Sequence, residues 1–482
     1  MVLVVAVLLI DLWVALRHPF LNGDSKRVVI GAQKIVDCWH HGVFTHCDTW
    51  VGGQASAQGG VAHVGPWPLL QYVPAIALRW FGLGPVATLR VLIFMDALAL
   101  WVLFGLLWIT LRRTAATAWA PLLAVAMLAS PLLFYGTAAF GEALAAALVV
   151  AAVAAVLLRA PTVLVGGLVA LASISKETNP AFVLALVMIC VIAQSARRPE
   201  EKPASKRLVI AAVVGAILGV SANAAFNVVR FGSVRNTIYL QPYERAHDAA
   251  VVARAFAAQW VAPNGGLLWF WPGSIAIMGI TVGGAIWTLR RSGSFWKTAA
   301  PVLVAAVMIV YVVGLSTWYA PFGWFAWGPR LMVPLLPAML LISCVFASER
   351  AGQVLRRFMA GRVLWPAALL LIALGVPEIT VLYRPGVMSD FFASKRGCVI
   401  PIVAQDTHAY YRCFDFHAWH KTPLLLQDGL KGLGSLGGSV SALVFVGAVI
   451  MVLHAGRINA KRALVVEPSG ALPTPAPGPR RP

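Results

Sequence analysis

The sequence predicts an all-α, polytopic membrane protein, and three observations carry that prediction. Of 482 residues, 60% are hydrophobic and only 12% are charged, where a soluble domain carries roughly 25% charged residues. The apolar residues gather into runs of about 20, the length a helix needs to cross the hydrocarbon core, and the mean hydropathy is +0.81. Short Lys/Arg clusters separate many of these runs. That placement gives the formal charge of +20 its meaning: basic residues between apolar spans orient helices in a bilayer, so the charge points to a membrane and away from nucleic acid.

About twelve spans follow, at 1–17, 88–110, 116–135, 138–158, 162–175, 179–195, 208–227, 266–289, 298–316, 331–347, 363–383 and 437–454. The first has no basic flank, which leaves room for an upstream start, and it lacks a small-residue cleavage site, which argues for an anchor over a removed signal peptide. Basic clusters at Arg112–Arg113, Arg159, 196–207, 290–297, 349–362 and 456–462 fall in every second loop. Those loops are expected in the cytoplasm, with both termini, and the loops 18–87, 228–265, 317–330 and 384–436 outside. Residues 1–462 then make one transmembrane unit. The Pro-rich remainder, 463–482, reads as a disordered cytoplasmic tail.

Two apolar segments of the first outer loop do not read as spans. Residues 65–84 contain Pro68, Pro74 and Arg79, and counting them as a span would put Arg112 and Arg113 outside; they predict a helix lying in the interface, with Trp67, Arg79 and Trp80 at headgroup level. Val28, Val29, Ala32, Ile35 and Val36 share one helical face and predict a second such helix. Four of the six cysteines form close pairs in the outer loops, Cys38 with Cys47 and Cys398 with Cys413. An oxidising compartment would bond them, although spacing alone leaves free thiols open. No internal repeat, Gly-rich phosphate loop or metal-type His/Cys spacing stands out, and His40 and His41 read as surface residues.

The order of several motifs resembles the GT-C superfamily of membrane glycosyltransferases. The first span ends before "NGDS" (22–25), and the outer loop closes on "GPWPLL" (65–70) and "FGLGPVATLR" (81–90). There follow "FGEALAAALV" (140–149), "GGLVALASISKETNP" (166–180), "NVVRFGSVRNTIY" (227–239), "NGGLLWFWP" (264–272) and "WYAPFGWFAWGPRLMVPLLP" (318–337). The resemblance implies sugar transfer from a polyprenyl-phosphate donor to an acceptor glycan, glycolipid or protein, with inversion, on the extracytoplasmic side of the plasma (inner) membrane. Its leaving group is already a phosphate anion, so one general base suffices. Asp24 occupies the family's position for that base. Taken without the resemblance, Asp24 reads as a helix cap, one of three candidates with Asn22 and Ser25 for a helix starting near Lys26.

The resemblance also implies a second acid at Glu142, which shapes the site or holds a divalent cation, the one cofactor left open; a pairing with a nearby Arg is the other reading. Lys176, Arg230 and Arg330 are the cations it implies for the donor phosphate, against a role as headgroup anchors. Trp318, Tyr319, Trp324 and Trp327 are dense enough with Gly and Pro to suggest a substrate surface, where aromatics elsewhere read as the interfacial belt. Asp11, mid-span, reads as a structural helix contact. Two other functions fit the composition: a transporter or flippase of a lipid-linked saccharide, which would place its charges near the midplane in repeated halves, and a catalytically silent binding protein on the same fold.

Overall fold

The computed structural model describes residues 2–17, 23–50, 67–114, 116–139, 141–197, 202–236, 248–292, 295–318, 322, 327–383 and 425–466. Among them the chain is all helix and connection, with no β-strand. In chain order the helices are α1 (Val2–Arg17), α2 (Gly23–His40), α3 (Leu69–Trp80), α4 (Pro85–Arg113), α5 (Ala120–Leu128), α6 (Leu132–Gly136), α7 (Glu142–Leu157), α8 (Thr162–Ile174), α9 (Asn179–Arg197) and α10 (Lys202–Phe231). They continue with α11 (Ala249–Val261), α12 (Pro272–Ser292), α13 (Ala300–Ser316), α14 (Leu336–Val345), α15 (Glu349–Ala360), α16 (Leu364–Thr380) and α17 (Leu436–Val466).

Each expected span coincides with a helix, but only six described helices are long and apolar enough to cross alone, or seven when α14 and α15, bent by 102°, count as one. Proline explains the shortest. The span expected at 116–135 breaks between α5 and α6 at Ser130–Pro131, where the Ser130 hydroxyl donates to the Met127 carbonyl at 2.6 Å and turns the chain out of the helix. The span expected at 331–347 begins instead as a single 3-10 turn, Arg330–Met332, before Pro334 and the start of α14. The amphipathic helix α15 stands where a plain basic loop was expected. Ser348 caps it by accepting from the Ala351 N–H, and Glu349 occupies its first turn. Helix α17 runs to Val466, past the expected start of the tail, and residues 467–482 lie outside the described residues.

Both interfacial helices of the first loop form. At 12 residues, α3 is only about 18 Å long, far short of a bilayer core. The α2 stripe Val28, Val29, Ala32, Ile35 and Val36 is buried against Tyr72, Ala75 and Ile76 of α3 and Leu92 and Ile93 of α4, forming a second apolar cluster beside the main core. Arg79 is tied to α2, its Nε donating to Gln33 Oε1 at 2.6 Å. A disulfide between Cys38 and Cys47 closes the end of α2 onto residues 43–50. That loop in turn docks on the last turn of α10, as the Cys47 N–H donates to the Val229 carbonyl and the Asp48 N–H to the Arg230 carbonyl. Cys398 and Cys413 lie outside the described residues.

Small residues bring α8 and α10 together. A Cβ on Gly215 would strike the Gly166 carbonyl, and one on Gly219 would stand 2.9 Å from the Ala170 carbonyl. With no hydrophobic drive between helices in lipid, such a Gly-x-x-x-Gly face supplies close backbone packing.

The basic clusters meet at one end of the bundle. Arg197 donates to the Val345 and Phe346 carbonyls, and Gly456 of α17 faces Met359 of α15 and Pro121 of α5. The ends of α1, α8, α10 and α16 opposite to these carry the candidate site.

Two measurements test this architecture. Gly215→Ile forces α8 and α10 apart, so the purified protein should lose thermal stability and yield, while Gly279→Ala on α12, where a Cβ meets nothing within 4 Å, should not. Cys38→Ser removes a bond spanning a sequence separation of 9, a loss of about 2–3 kcal/mol by loop-closure entropy, and should lower the thermal midpoint.

Candidate functional site

The site is built around the first residue of α7. Helix α7 begins at Gly141 in the left-handed region (φ 74°), a conformation glycine adopts without strain. Its exposed amides are satisfied from another helix: Asp96 of α4 accepts the Gly141 N–H at 3.0 Å on Oδ2 and the Leu144 N–H at 3.0 Å on Oδ1. An acid from α4 thus caps α7 and fixes the depth at which the Glu142 side chain leaves the helix.

Glu142 is fully buried. Its Oε1 accepts from Lys176 Nζ at 2.8 Å and from Arg330 Nε at 2.7 Å. Lys176 comes from the break between α8 and α9, and Arg330 from the 3-10 turn before α14. Three segments spread over 188 residues of chain therefore converge on one carboxylate oxygen. Arg330 is nearly enclosed, whereas the Lys176 side chain keeps 16% of its surface open. Burial without partners would be prohibitive for any of the three.

Arg230 stands one step from this group. Glu177, the neighbour of Lys176, accepts from Arg230 Nη2 at 3.5 Å and from Asn236 Nδ2 at 2.8 Å. Burial raises the Glu177 carboxyl pKa above its usual range, against the lowering effects of Asn236 and then Arg230. Arg230 itself is 1% exposed, donates to the Trp67 carbonyl at 2.7 Å and to Asn227 Oδ1, and lies against the rings of Phe226 and Phe231. It joins the end of α10 to the start of α3.

The loop that brings in Arg330 is pinned from below. Tyr135 of α6 accepts the Trp327 N–H at 2.9 Å and donates its hydroxyl to the Trp327 carbonyl at 3.0 Å. The Trp327 indole donates to Glu378 Oε2 of α16 at 2.6 Å, and its ring packs edge-on against Phe270. Trp327 is thus held inside the bundle with no exposed surface. Trp318 is half-buried against the main core, while Tyr319 and Trp324 lie outside the described residues.

Asp24 falls in the first turn of α2, and its side chain lies outside the described residues. Helix α2 reaches the site through α3. Gly31 of α2 abuts the Tyr72 hydroxyl, and the neighbouring Gln71 packs on Gly141, the residue before Glu142. Through α3, the middle of α2 is thus linked to the start of α7, beside Glu142 and its partner Lys176.

Asp96, Tyr135, Glu177 and Glu378 were missed by motif reasoning. Asp96 and Glu378 carried a usable signal, since an acid inside an apolar span is costly enough to require a partner. Tyr135 had none, because its role depends on a backbone 192 residues away. Among the described residues no three His, Cys, Asp or Glu side chains come together as metal ligands.

No family model and no curated protein matches the chain. It is similar to a solved structure of ArnT from Cupriavidus metallidurans bound to undecaprenyl phosphate, with 15% identity, a TM-score of 0.46, and coverage of 96% of this chain and 79% of that one. A structure of the same protein in the apo state gives 16% identity, a TM-score of 0.45, and coverage of 94% and 76%.

The shared carboxylate makes a stability prediction. Glu142→Gln leaves the buried Arg330 and the half-buried Lys176 without a counter-charge and should cost about 3–5 kcal/mol, read as a fall in thermal midpoint. Adding Lys176→Met to that variant should recover part of the loss, because one of the two stranded charges is gone.

Proposed function

We propose that the chain is an integral membrane glycosyltransferase of the GT-C kind that moves a sugar from a polyprenyl-phosphate donor to a glycan, glycolipid or protein acceptor, inverting the anomeric carbon. The reading places the reaction on the extracytoplasmic side of the plasma (inner) membrane. It is supported by the order of the sequence motifs, and above all by the Lys176–Glu142–Arg330 arrangement: two cations on one carboxylate, with the lysine left partly open. Such a group attracts an anion, and its position at a helix end suits a phosphate held there by its lipid tail.

In this mechanism Asp24 takes the proton of the acceptor hydroxyl as its oxygen attacks the anomeric carbon. The bond from that carbon to the donor phosphate oxygen breaks on the opposite face. The singly charged diester becomes a doubly charged monoester, so charge grows on the phosphate and no acid is needed. Lys176 meets that growing charge. Arg330 and Glu142 position Lys176, and Arg230 holds Glu177 and the loop behind it.

For a divalent ion, Glu142 Oε1 already faces two cations and both Asp96 oxygens accept backbone amides, while Glu142 Oε2, buried without a hydrogen-bond partner, is the oxygen of these two residues that could meet one. No step is routed through a metal.

A transporter reading draws on Asp11 and Glu378, buried acids within helices of the bundle. Release of radiolabelled sugar from a polyprenyl-phosphate donor separates the two. Asp24→Asn should lower that release about 10²–10⁴-fold, as loss of a general base does, and Lys176→Met about 10²–10³-fold through kcat. Full turnover by Asp24→Asn would overturn the base assignment, and saccharide crossing vesicles without chemistry would favour transport.

A further inference from the structure

The basic end of the bundle carries an arrangement that the transfer reaction does not use. Trp287, near the end of α12, is 39% exposed and has two arginines on its ring. The Arg291 guanidinium carbon lies 4.3 Å from the ring centroid and that of Arg350, from α15, lies 4.9 Å from it. The two cations are therefore within about 9 Å of each other, gathered by one π-face system. Neither forms an ion pair with a described residue. The nearest acid in sequence, Glu349, is exposed and adjacent to Arg350, and neighbours at i and i+1 on a helix point apart.

This juxtaposition is built into the packing. Helix α15 turns by 102° from α14 and crosses the end of α12. The crossing is close because Gly284 leaves room: a Cβ there would meet Ala351 Cβ at 2.7 Å and the Ser348 hydroxyl, itself the cap of α15, at 2.9 Å. Gly284 and Ser348 thus set Arg350 one helical turn along, over Trp287. Val354, one turn beyond Arg350, and Ile286, beside Trp287, are 41% and 40% exposed. Two like charges beside exposed apolar side chains, at the water-facing end of a membrane bundle, match the chemistry of a phospholipid: phosphate above, acyl chain below.

We propose that Arg291, Arg350 and Trp287 form a binding site for the phosphate headgroup of an anionic phospholipid in the leaflet at the basic end of the bundle. The site is separate from the Lys176–Glu142–Arg330 group, which lies at the other end.

Native mass spectrometry of the full-length protein in detergent, titrated with phosphatidylglycerol or phosphatidylcholine, tests this. Phosphatidylglycerol should be retained in preference, and each of Arg291→Gln and Arg350→Gln should weaken that retention about fivefold, the effect of roughly one surface charge. Trp287→Leu, which keeps both charges but removes the ring that gathers them, should also weaken it. Arg112→Gln should not, although Arg112 also lies over an indole, 4.8 Å from the Trp108 centroid, because that ring gathers one arginine and not two. Equal retention of the two lipids, or an Arg112→Gln loss as large as that of Arg291→Gln, would overturn the proposal. So would displacement of the lipid by millimolar inorganic phosphate, which would make the site one for free phosphate. Arg291 is exposed, so its variant serves where an Arg350 variant folds poorly.

Discussion

A carboxylate buried at the end of a membrane bundle must be neutralised, and the arrangement of this molecule's working end follows from how Glu142 is. Its one hydrogen-bonded oxygen draws Lys176 and Arg330 from distant segments. Each segment then needs its own support. Asp96 fixes the start of α7, the Lys176 break sits beside Glu177 and its ties to Arg230 and Asn236, and Tyr135 and Glu378 hold the Trp327 loop that ends in Arg330. Low dielectric makes every one of these bonds stronger and every missing one more costly, so the network is a unit and not a set of independent contacts.

The helices α2 and α3 form a cover over that end. They are too short and too polar to be driven into the bilayer, and their apolar faces instead bury each other against α4. The disulfide and the docking of residues 47 and 48 on the last turn of α10 tie the cover to the bundle. Arg230 lies at that seam, beneath α3 and beside Glu177. The cover and the charged group are in this way mechanically one piece.

The opposite end is organised differently. There arginines sit on aromatic rings and backbone carbonyls at the membrane surface, Arg197 on Phe346, Arg291 and Arg350 on Trp287, Arg457 on Trp365. At the site end, by contrast, Lys176 and Arg330 are paired with the buried Glu142, and Arg230 with Glu177.

The sequence by itself determined the class, the helical segments and their alternation. Hydrocarbon permits only backbone that satisfies its own hydrogen bonds, so an apolar run of sufficient length has essentially one outcome. It also showed the apolar stripe of α2 and the first cysteine pair. Only the tertiary structure decided that Glu142, Lys176 and Arg330 share one oxygen, that Asp96 caps a helix other than its own, that Trp327 faces inward to Glu378, and that α15 is a helix folded across the bundle's end. Those outcomes depend on which helix ends meet. Periodicity and composition report what each segment buries, and pairing between segments up to 192 residues apart is settled only when the helices pack.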